Sequence, residues 1–287
     1  MKFRSFLTLL APLALAGAAA WVAQAEDSAP VKPLKVLLVC GGCCHDYATQ
    51  KMLLAEGISA RANVEFTIEH NPDKSTKAAF EIYKNPDWAK NFDVILHDEC
   101  SADVTDPTYV GNILNAHKAG KPAVNLHCAM HSYRWGNFKE PVAAGADNAG
   151  WYEMLGLQST GHGPQEPIDI SFVDKTNPLN KNLSDWTTIK EELYNNIQVL
   201  TAKPVAKGKQ SFKDKKTGEQ KTAETVIVWT NEFGPNKTRI WSTTIGHNND
   251  TVSDARYLDM VTNGLLWAVG KLDDNGKPMP GYGPRQK

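Results

Sequence analysis

The chain contains a run of apolar residues with no polar interruption, Lys35-Val36-Leu37-Leu38-Val39-Cys40, that stops at Gly41-Gly42. A strand half exposed to water alternates apolar and polar residues, whereas a strand covered on both faces does not. The run therefore predicts a strand buried on both faces, and with it a sheet sheathed by helices. The next segments keep that rhythm. A helical pattern spans 47–60, a second strand 64–68, and a third strand 92–99 with the acidic end His97-Asp98-Glu99. Asp106-Pro107 suits a helix start, because Asp can cap and Pro fits the first turn. Val110, Ile113, Leu114 and His117 follow at helical spacing, and Gly120 closes the helix. A fourth strand, 122–128, ends at His127-Cys128. Strands alternating with helices in this way predict an α/β fold with a mostly parallel central sheet.

The second half is less regular and reads as a β-rich insertion. Trp151–Leu155 suits a short helix, 168–173 a half-exposed strand, and 198–200, 226–229 and 239–244 further strands. Residues 203–221 hold seven lysines and two glycines, which reads as a solvated hairpin tip. A helix is expected over 257–269, and 271–287 reads as a loose tail.

The first 25 residues read as an export signal. Lys2 and Arg4 precede an uncharged apolar stretch, Phe6–Ala20, and Ala23-Gln24-Ala25 fits a cleavage site. The expected location is periplasmic or secreted, and no later segment is apolar enough to span a membrane. With 31 basic and 32 acidic residues the net charge is −1, so no global field draws the chain to nucleic acid. The cysteines at 40, 43, 44, 100 and 128 are odd in number, and a bridge from Cys43 or Cys44 to Cys100 is compatible with export. A homo-oligomer is compatible with the sequence.

Four clusters carry the residue types that do chemistry. The first is Gly41-Gly42-Cys43-Cys44-His45-Asp46. It matches neither a dinucleotide fingerprint, whose third Gly is missing, nor a P-loop, so no nucleotide cofactor is expected. The second is His127-Cys128-Ala129-Met130-His131, with Tyr133 and Trp135 just beyond. The third presents His162 between Gly161 and Gly163. The fourth is Gly246-His247-Asn248, after a late strand. Glu191, Glu192 and Tyr194 add carboxylates and a phenol. His70, His97 and His117 fit structural roles at strand ends and on a helix face. Two chemistries suit this inventory. His127, His162 and His247 are candidate ligands of a divalent metal such as Zn²⁺, with His127, Glu192 and His247 as the catalytic set. Alternatively, Cys128 is a nucleophile with His247 as its base.

Assembled in order, these pieces resemble the trehalose-utilisation (ThuA-like) family. The matching residues are Gly41-Gly42 with His45-Asp46; His127-x-Ala129 with Ser132-Tyr133; the His162 loop; Glu191-Glu192-Leu193-Tyr194; and Thr243-Thr244-Ile245-Gly246-His247 followed by Ser253-Asp254-x-Arg256-Tyr257 and Gly264-Leu265-Leu266-Trp267-Ala268. They span 34–270. The resemblance implies a flavodoxin-like three-layer α/β sandwich related to class I glutamine amidotransferases. It places His127 or Cys128 near that superfamily's catalytic elbow, and it implies that the His is kept while the next residue varies. It also implies an enzyme of carbohydrate utilisation, a hydrolase or lyase whose partner is a small glycoside, disaccharide or keto-sugar. His45, Asp46, Tyr133, Trp135 and Tyr194 are the expected substrate contacts. A non-catalytic sugar-binding protein on the same fold is the remaining reading.

Overall fold

The apolar run forms strand β1 (Leu34–Gly42), buried along nearly its whole length. A computed structural model describes Met1 and residues 31–285. The expected signal segment, 1–25, lies outside the described residues apart from Met1. Alternate side chains of β1 enter two cores on opposite faces. Val36, Leu38 and Cys40 pack with Leu54, Ile58, Leu258 and Leu265. Leu37 and Val39 pack with Tyr83, Ile95, Ile113 and Trp151. This two-sided burial is what the unbroken apolar pattern demands.

Helix α1 (Tyr47–Ser59) leads from β1 to β2 (Val64–Asn71). Strand β3 (Val94–Cys100) is followed by α2 (Pro107–Lys118), capped as expected by Asp106, whose side chain accepts from the amides of Thr108 and Tyr109. Strand β4 (Ala123–Leu126) is shorter than the sequence predicted. The chain leaves it at His127, whose φ of 40° is rare for a non-glycine residue, and enters a 3-10 turn over His127–His131. Helix α3 (Gly150–Leu155) precedes four long strands: β5 (Leu157–Phe172), β6 (Trp186–Val199), β7 (Lys203–Lys213) and β8 (Gln220–Phe233). Strand β9 (Thr238–Thr243), α4 (Asn249–Ser253) and α5 (Ala255–Ala268) complete the elements.

The nine strands of the described residues form one mixed sheet, ordered β2-β1-β3-β4-β9-β8-β7-β5-β6. The pairs from β2 to β9 are parallel, and the pairs from β9 to β6 are antiparallel. The sheet is therefore only partly parallel, and the expected insertion is an extension of that sheet. The expected 168–173 strand is only the end of β5. Alternation there was masked by Gly161, Gly163, Pro164 and Pro167, and β5 accommodates them through register shifts against β6. The lysine-rich segment is mostly ladder: Lys213 pairs with Gln220, leaving 214–219 as the tip. The segment after Lys271, expected to be loose, folds back. Tyr282 accepts from the amide of Asn63, and Arg285 donates to Asn63 and to the Val64 carbonyl.

The cysteines also differ from expectation. Cys43 and Cys44 are joined to each other, and Cys100 remains a thiol 3.3 Å from Cys43 Sγ. A Cβ on Gly42 would collide with the Cys100 carbonyl, so glycine lets the end of β1 run close beside β3.

A polar chain crosses the second core. His117 Nδ1 donates to the Lys121 carbonyl (2.7 Å), and its Nε2 lies 3.0 Å from His97 Nε2. His97 Nδ1 is 2.8 Å from Glu99 Oε1, which also accepts from Tyr83 (3.2 Å) and Tyr133 (3.0 Å). His97 and His117 are thus structural, as their positions suggested. Removing one member strands the others without water. Glu99→Ala is expected to cost about 3–5 kcal/mol, typical of breaking a buried ion pair, read from urea unfolding. A loss under about 1 kcal/mol would mean the network is not a stabilising unit.

Candidate functional site

Three histidines meet at the carboxyl ends of parallel strands, where open α/β sheets bind ligands. His45 lies just beyond β1, His127 directly after β4, and His247 just beyond β9. One ring nitrogen of each lies within 4.8 Å of the others. Ring centroids are 4.6 Å apart for His45 and His127, 4.8 Å for His45 and His247, and 5.6 Å for His127 and His247.

The surroundings set the direction of each ring. His127 is 2% exposed, and its Nδ1 donates to the Thr244 carbonyl at 2.6 Å, which turns Nε2 inward with its lone pair. The His247 loop is gripped from two sides. Gln50 Nε2 donates to the carbonyls of Gly246 and His247. The fully buried Glu191 carboxylate accepts from the amides of His247 and Asn248, both at 3.1 Å. Gly246 has a φ of 130°, and a Cβ there would stand 2.8 Å from Tyr257 Oη, so the sharp turn onto His247 needs glycine. Gln165 places its amide 2.9 Å from His247 Nε2. Its Nε2 also donates to Glu192 Oε1 at 3.2 Å, so Gln165 spans His247 and Glu192.

Glu192 reaches the cluster from β6. Its carboxylate lies 3.4 Å from His127 Nε2, 3.2 Å from His247 Nδ1 and 3.5 Å from His162 Nε2. These are ion-pair distances without hydrogen-bond alignment. His45 Nδ1, His127 Nε2 and His247 Nδ1 all remain buried and unpartnered. Three orphaned ring nitrogens within 4.8 Å of one another, beside a carboxylate, suit a tetrahedral cation with one position left open. Burial alone would raise the Glu192 pKa. The surrounding His127 and His247 rings outweigh it and hold the carboxyl well below its usual range. Burial, reinforced by the His127 and His247 rings, pushes His45 down to about 2, so it stays neutral. The Glu192 carboxylate beside His247 raises that ring above its ordinary value, against the effect of burial.

The expected residues divide clearly. His45, His127, Glu192 and His247 converge. Tyr194 joins them, its ring stacked on His131 at 4.2 Å and standing 4.9 Å from that of His127. His162 does not complete the triad. It rides the outer surface of β5 with a side chain 44% exposed, 3.5 Å from Glu192 and 6.1 Å from the Tyr194 ring, and His45 is the third member of the cluster. Asp46 caps α1 through Thr49 and holds Asn249 at 2.9 Å. Tyr133 is buried in the Glu99 network, and the Trp135 side chain packs with the second core, so neither reaches the cluster. His131, named in the second cluster, stacks on Tyr194, whereas Gln50 and Gln165 belong to the site but were not singled out. Single amides at distant positions carry no sequence pattern.

Cys128 is poorly set for attack. Contact with the Cys100 thiol, then burial, raises its own thiol well above the usual range. His247 is engaged by Glu192 and Gln165. An open cleft of about 690 Å³ leads to the cluster past Cys44, Asp46, His70, Lys74 and Asn249. No described helix is long and apolar enough to cross a membrane.

A nine-stranded mixed sheet carrying a His/carboxylate cluster at its strand ends defines an α/β scaffold with a metal-competent polar site. The chain belongs to the ThuA family, described as Trehalose utilisation, whose model matches residues 35–268. Among solved structures it is similar to a ThuA-like protein of Parabacteroides merdae at 17% identity, covering 89% of this chain and 98% of that one with a TM-score of 0.58. A ThuA-like protein of Bacteroides uniformis is similar at 15% identity, covering 86% and 96% with a TM-score of 0.54. At these identities the likeness concerns the fold. No curated protein matches the sequence.

The neutral His45 gives an acid signature. Its folded pKa lies below the unfolded value near 6.5, so as pH falls below about 6.5 the unfolded chain binds a proton that the folded chain refuses. Stability is full above that pH and lost below it. His45→Asn is expected to lose less stability than wild type between about pH 7 and about pH 5, measured by urea midpoints in chelator. Parallel losses in the two proteins would show that His45 carries no such penalty.

Proposed function

We propose that the protein is an exported, metal-assisted enzyme of carbohydrate utilisation that breaks a glycosidic bond by hydrolysis or elimination. The observation that carries this reading is the convergence of three unpartnered histidine nitrogens beside the Glu192 carboxylate. Membership of the trehalose-utilisation family supports a sugar substrate. The signal-like segment 1–25 supports export, with a mature domain over 34–270. We read the parallel half as flavodoxin-like, supported by its strand order β2-β1-β3-β4-β9.

His45, His127 and His247 are the proposed ligands of a divalent cation, with Zn²⁺ favoured by an all-imidazole set. When bound, such a cation supplies Lewis-acid polarisation of a sugar oxygen. Glu192 stands beside the His127 and His247 rings, and by that position it is the proposed proton acceptor. In elimination from a keto-glycoside it takes the acidified proton next to the carbonyl. That C–H electron pair becomes the new C=C bond, the glycosidic C–O bond breaks, and the leaving oxygen takes a proton from water. In hydrolysis the same carboxylate takes a proton from the attacking water, whose oxygen bonds to the anomeric carbon as the glycosidic C–O bond breaks, and the leaving oxygen takes a proton from solvent. The Thr244 carbonyl and Glu191 act earlier, by fixing His127 and the His247 loop.

Elemental analysis of protein purified without a His-tag is expected to find about one metal per chain, lost in His127→Ala. Glu192→Gln is expected to keep the metal and lose about 10²–10⁴-fold in turnover, assayed on keto-glycosides. Full turnover in Glu192→Gln would overturn its role. Loss of turnover confined to Cys128→Ala would instead favour a cysteine hydrolase, and saturable sugar binding without product would favour a binding protein.

A further inference from the structure

A second groove, of about 370 Å³, opens between β6, β7 and β8. It is lined by His162, Tyr194, Asn196, Gln210, Phe212 and Thr225, among others, and shares none of its lining with the cleft at His45 and His247. Glu192 lines neither concavity but lies between them, 3.5 Å from His162 on the groove and 3.2 Å from His247 on the cleft. His162 lines the groove and sets its Nε2 3.5 Å from Glu192 Oε1, and Tyr194 lines the groove while packing against His127.

Two residues of the groove wall carry buried amide oxygens without partners, and their orientation is not arbitrary. Gln210 is 1% exposed, and its Nε2 donates to the carbonyls of Glu166 (2.8 Å) and Glu191 (3.0 Å). Those two acceptors fix which end of the amide is nitrogen, so the buried Oε1 is left without a donor. Asn196 repeats the arrangement. Its Nδ2 donates to the Val226 carbonyl (2.8 Å) and to Thr225 Oγ1 (3.0 Å), and its Oδ1 is buried and unpartnered. Buried acceptors of this kind call for a donor. Phe212 adds a half-buried aromatic ring, and Glu224 is engaged by Lys207 at 3.2 Å. Fixed neutral acceptors next to an aromatic ring suit a ligand that is rich in hydroxyls and uncharged.

We propose that this groove is a second sugar subsite, which holds the leaving ring of a glycoside whose other ring lies at the histidine cluster. The proposal rests on the catalytic reading above and narrows it: the substrate has at least two rings, with the bond to be cleaved beside Glu192. His162 then stands at the junction between rings, which accounts for its contact with Glu192 outside the triad. Gln210 links the two places mechanically, because its amide also holds the carbonyl of Glu191, the residue that grips the His247 loop.

The test uses the full mature chain loaded with zinc, with trehalose, maltose, cellobiose and lactose as probes and glucose as the single-ring control. Calorimetry is expected to find a disaccharide that binds at least about tenfold tighter than glucose, the scale of one added set of contacts. Ala223→Trp fills the groove from a half-buried lining position and is expected to remove that advantage while leaving glucose affinity unchanged. Wild-type crystals soaked with that disaccharide are expected to place ring hydroxyls within hydrogen-bond reach of Gln210 Oε1 and Asn196 Oδ1, so the outcome does not depend on the variant folding. The proposal is overturned if no disaccharide exceeds glucose, if the advantage survives Ala223→Trp, or if the bound sugar leaves both oxygens untouched. A ring seated in the groove of a protein whose Glu192→Gln variant keeps full turnover would end the catalytic reading and retain the subsite.

Discussion

The hydrogen bond from His127 Nδ1 to the Thr244 carbonyl ties together the ends of β4 and β9, two neighbouring parallel strands. It does three things at once. It compensates a residue held at positive φ, it fixes the imidazole tautomer, and it sends Nε2 toward His45 and His247. A carbonyl in this position is the usual outer partner of a metal-binding histidine. The rest of the site assumes that this ring does not rotate.

Around it the protein has placed charge with care. Glu191 and Glu192 are adjacent in sequence and have different tasks. Glu191 is spent on two backbone amides and shapes the His247 loop. Glu192 stands 3.4, 3.5 and 3.2 Å from His127, His162 and His247 with no aligned hydrogen bond to any of them. A carboxylate held ionised while the ring nitrogens facing it stay unpartnered marks a site arranged for something it can receive. The Glu99 network, equally buried, has its histidines and tyrosines hydrogen-bonded to one another, and it reads as structure.

The parallel half of the fold was legible because its signals are local. The unbroken run 35–40, the Asp106-Pro107 cap and the Gly41-Gly42 turn each state their own geometry. Strand β5 was not legible, since glycines and prolines erase alternation that only its neighbours restore. Within the site, His127, Glu192 and His247 could be chosen from their places at strand ends and in a carboxylate pair. His162 was chosen because two glycines frame it, yet those glycines serve an irregular strand, and the ring that gathers with His127 and His247 is that of His45. Tyr133 and Trp135 follow the elbow in sequence, but the 3-10 turn and the positive φ of Tyr133 carry them into the core. Cys128 lies on the same turn, and its contact with Cys100 depends on a strand pairing that no spacing reveals.

The central claim is that His45, His127 and His247 together hold one cation. Anomalous diffraction from crystals of the mature chain soaked in zinc tests it most directly. The account predicts a single strong peak at coordination distance, about 2.0–2.1 Å, from one nitrogen of each ring, next to the Glu192 carboxylate. A peak held by His162 in place of His45, or the absence of any peak among the three rings, would contradict it.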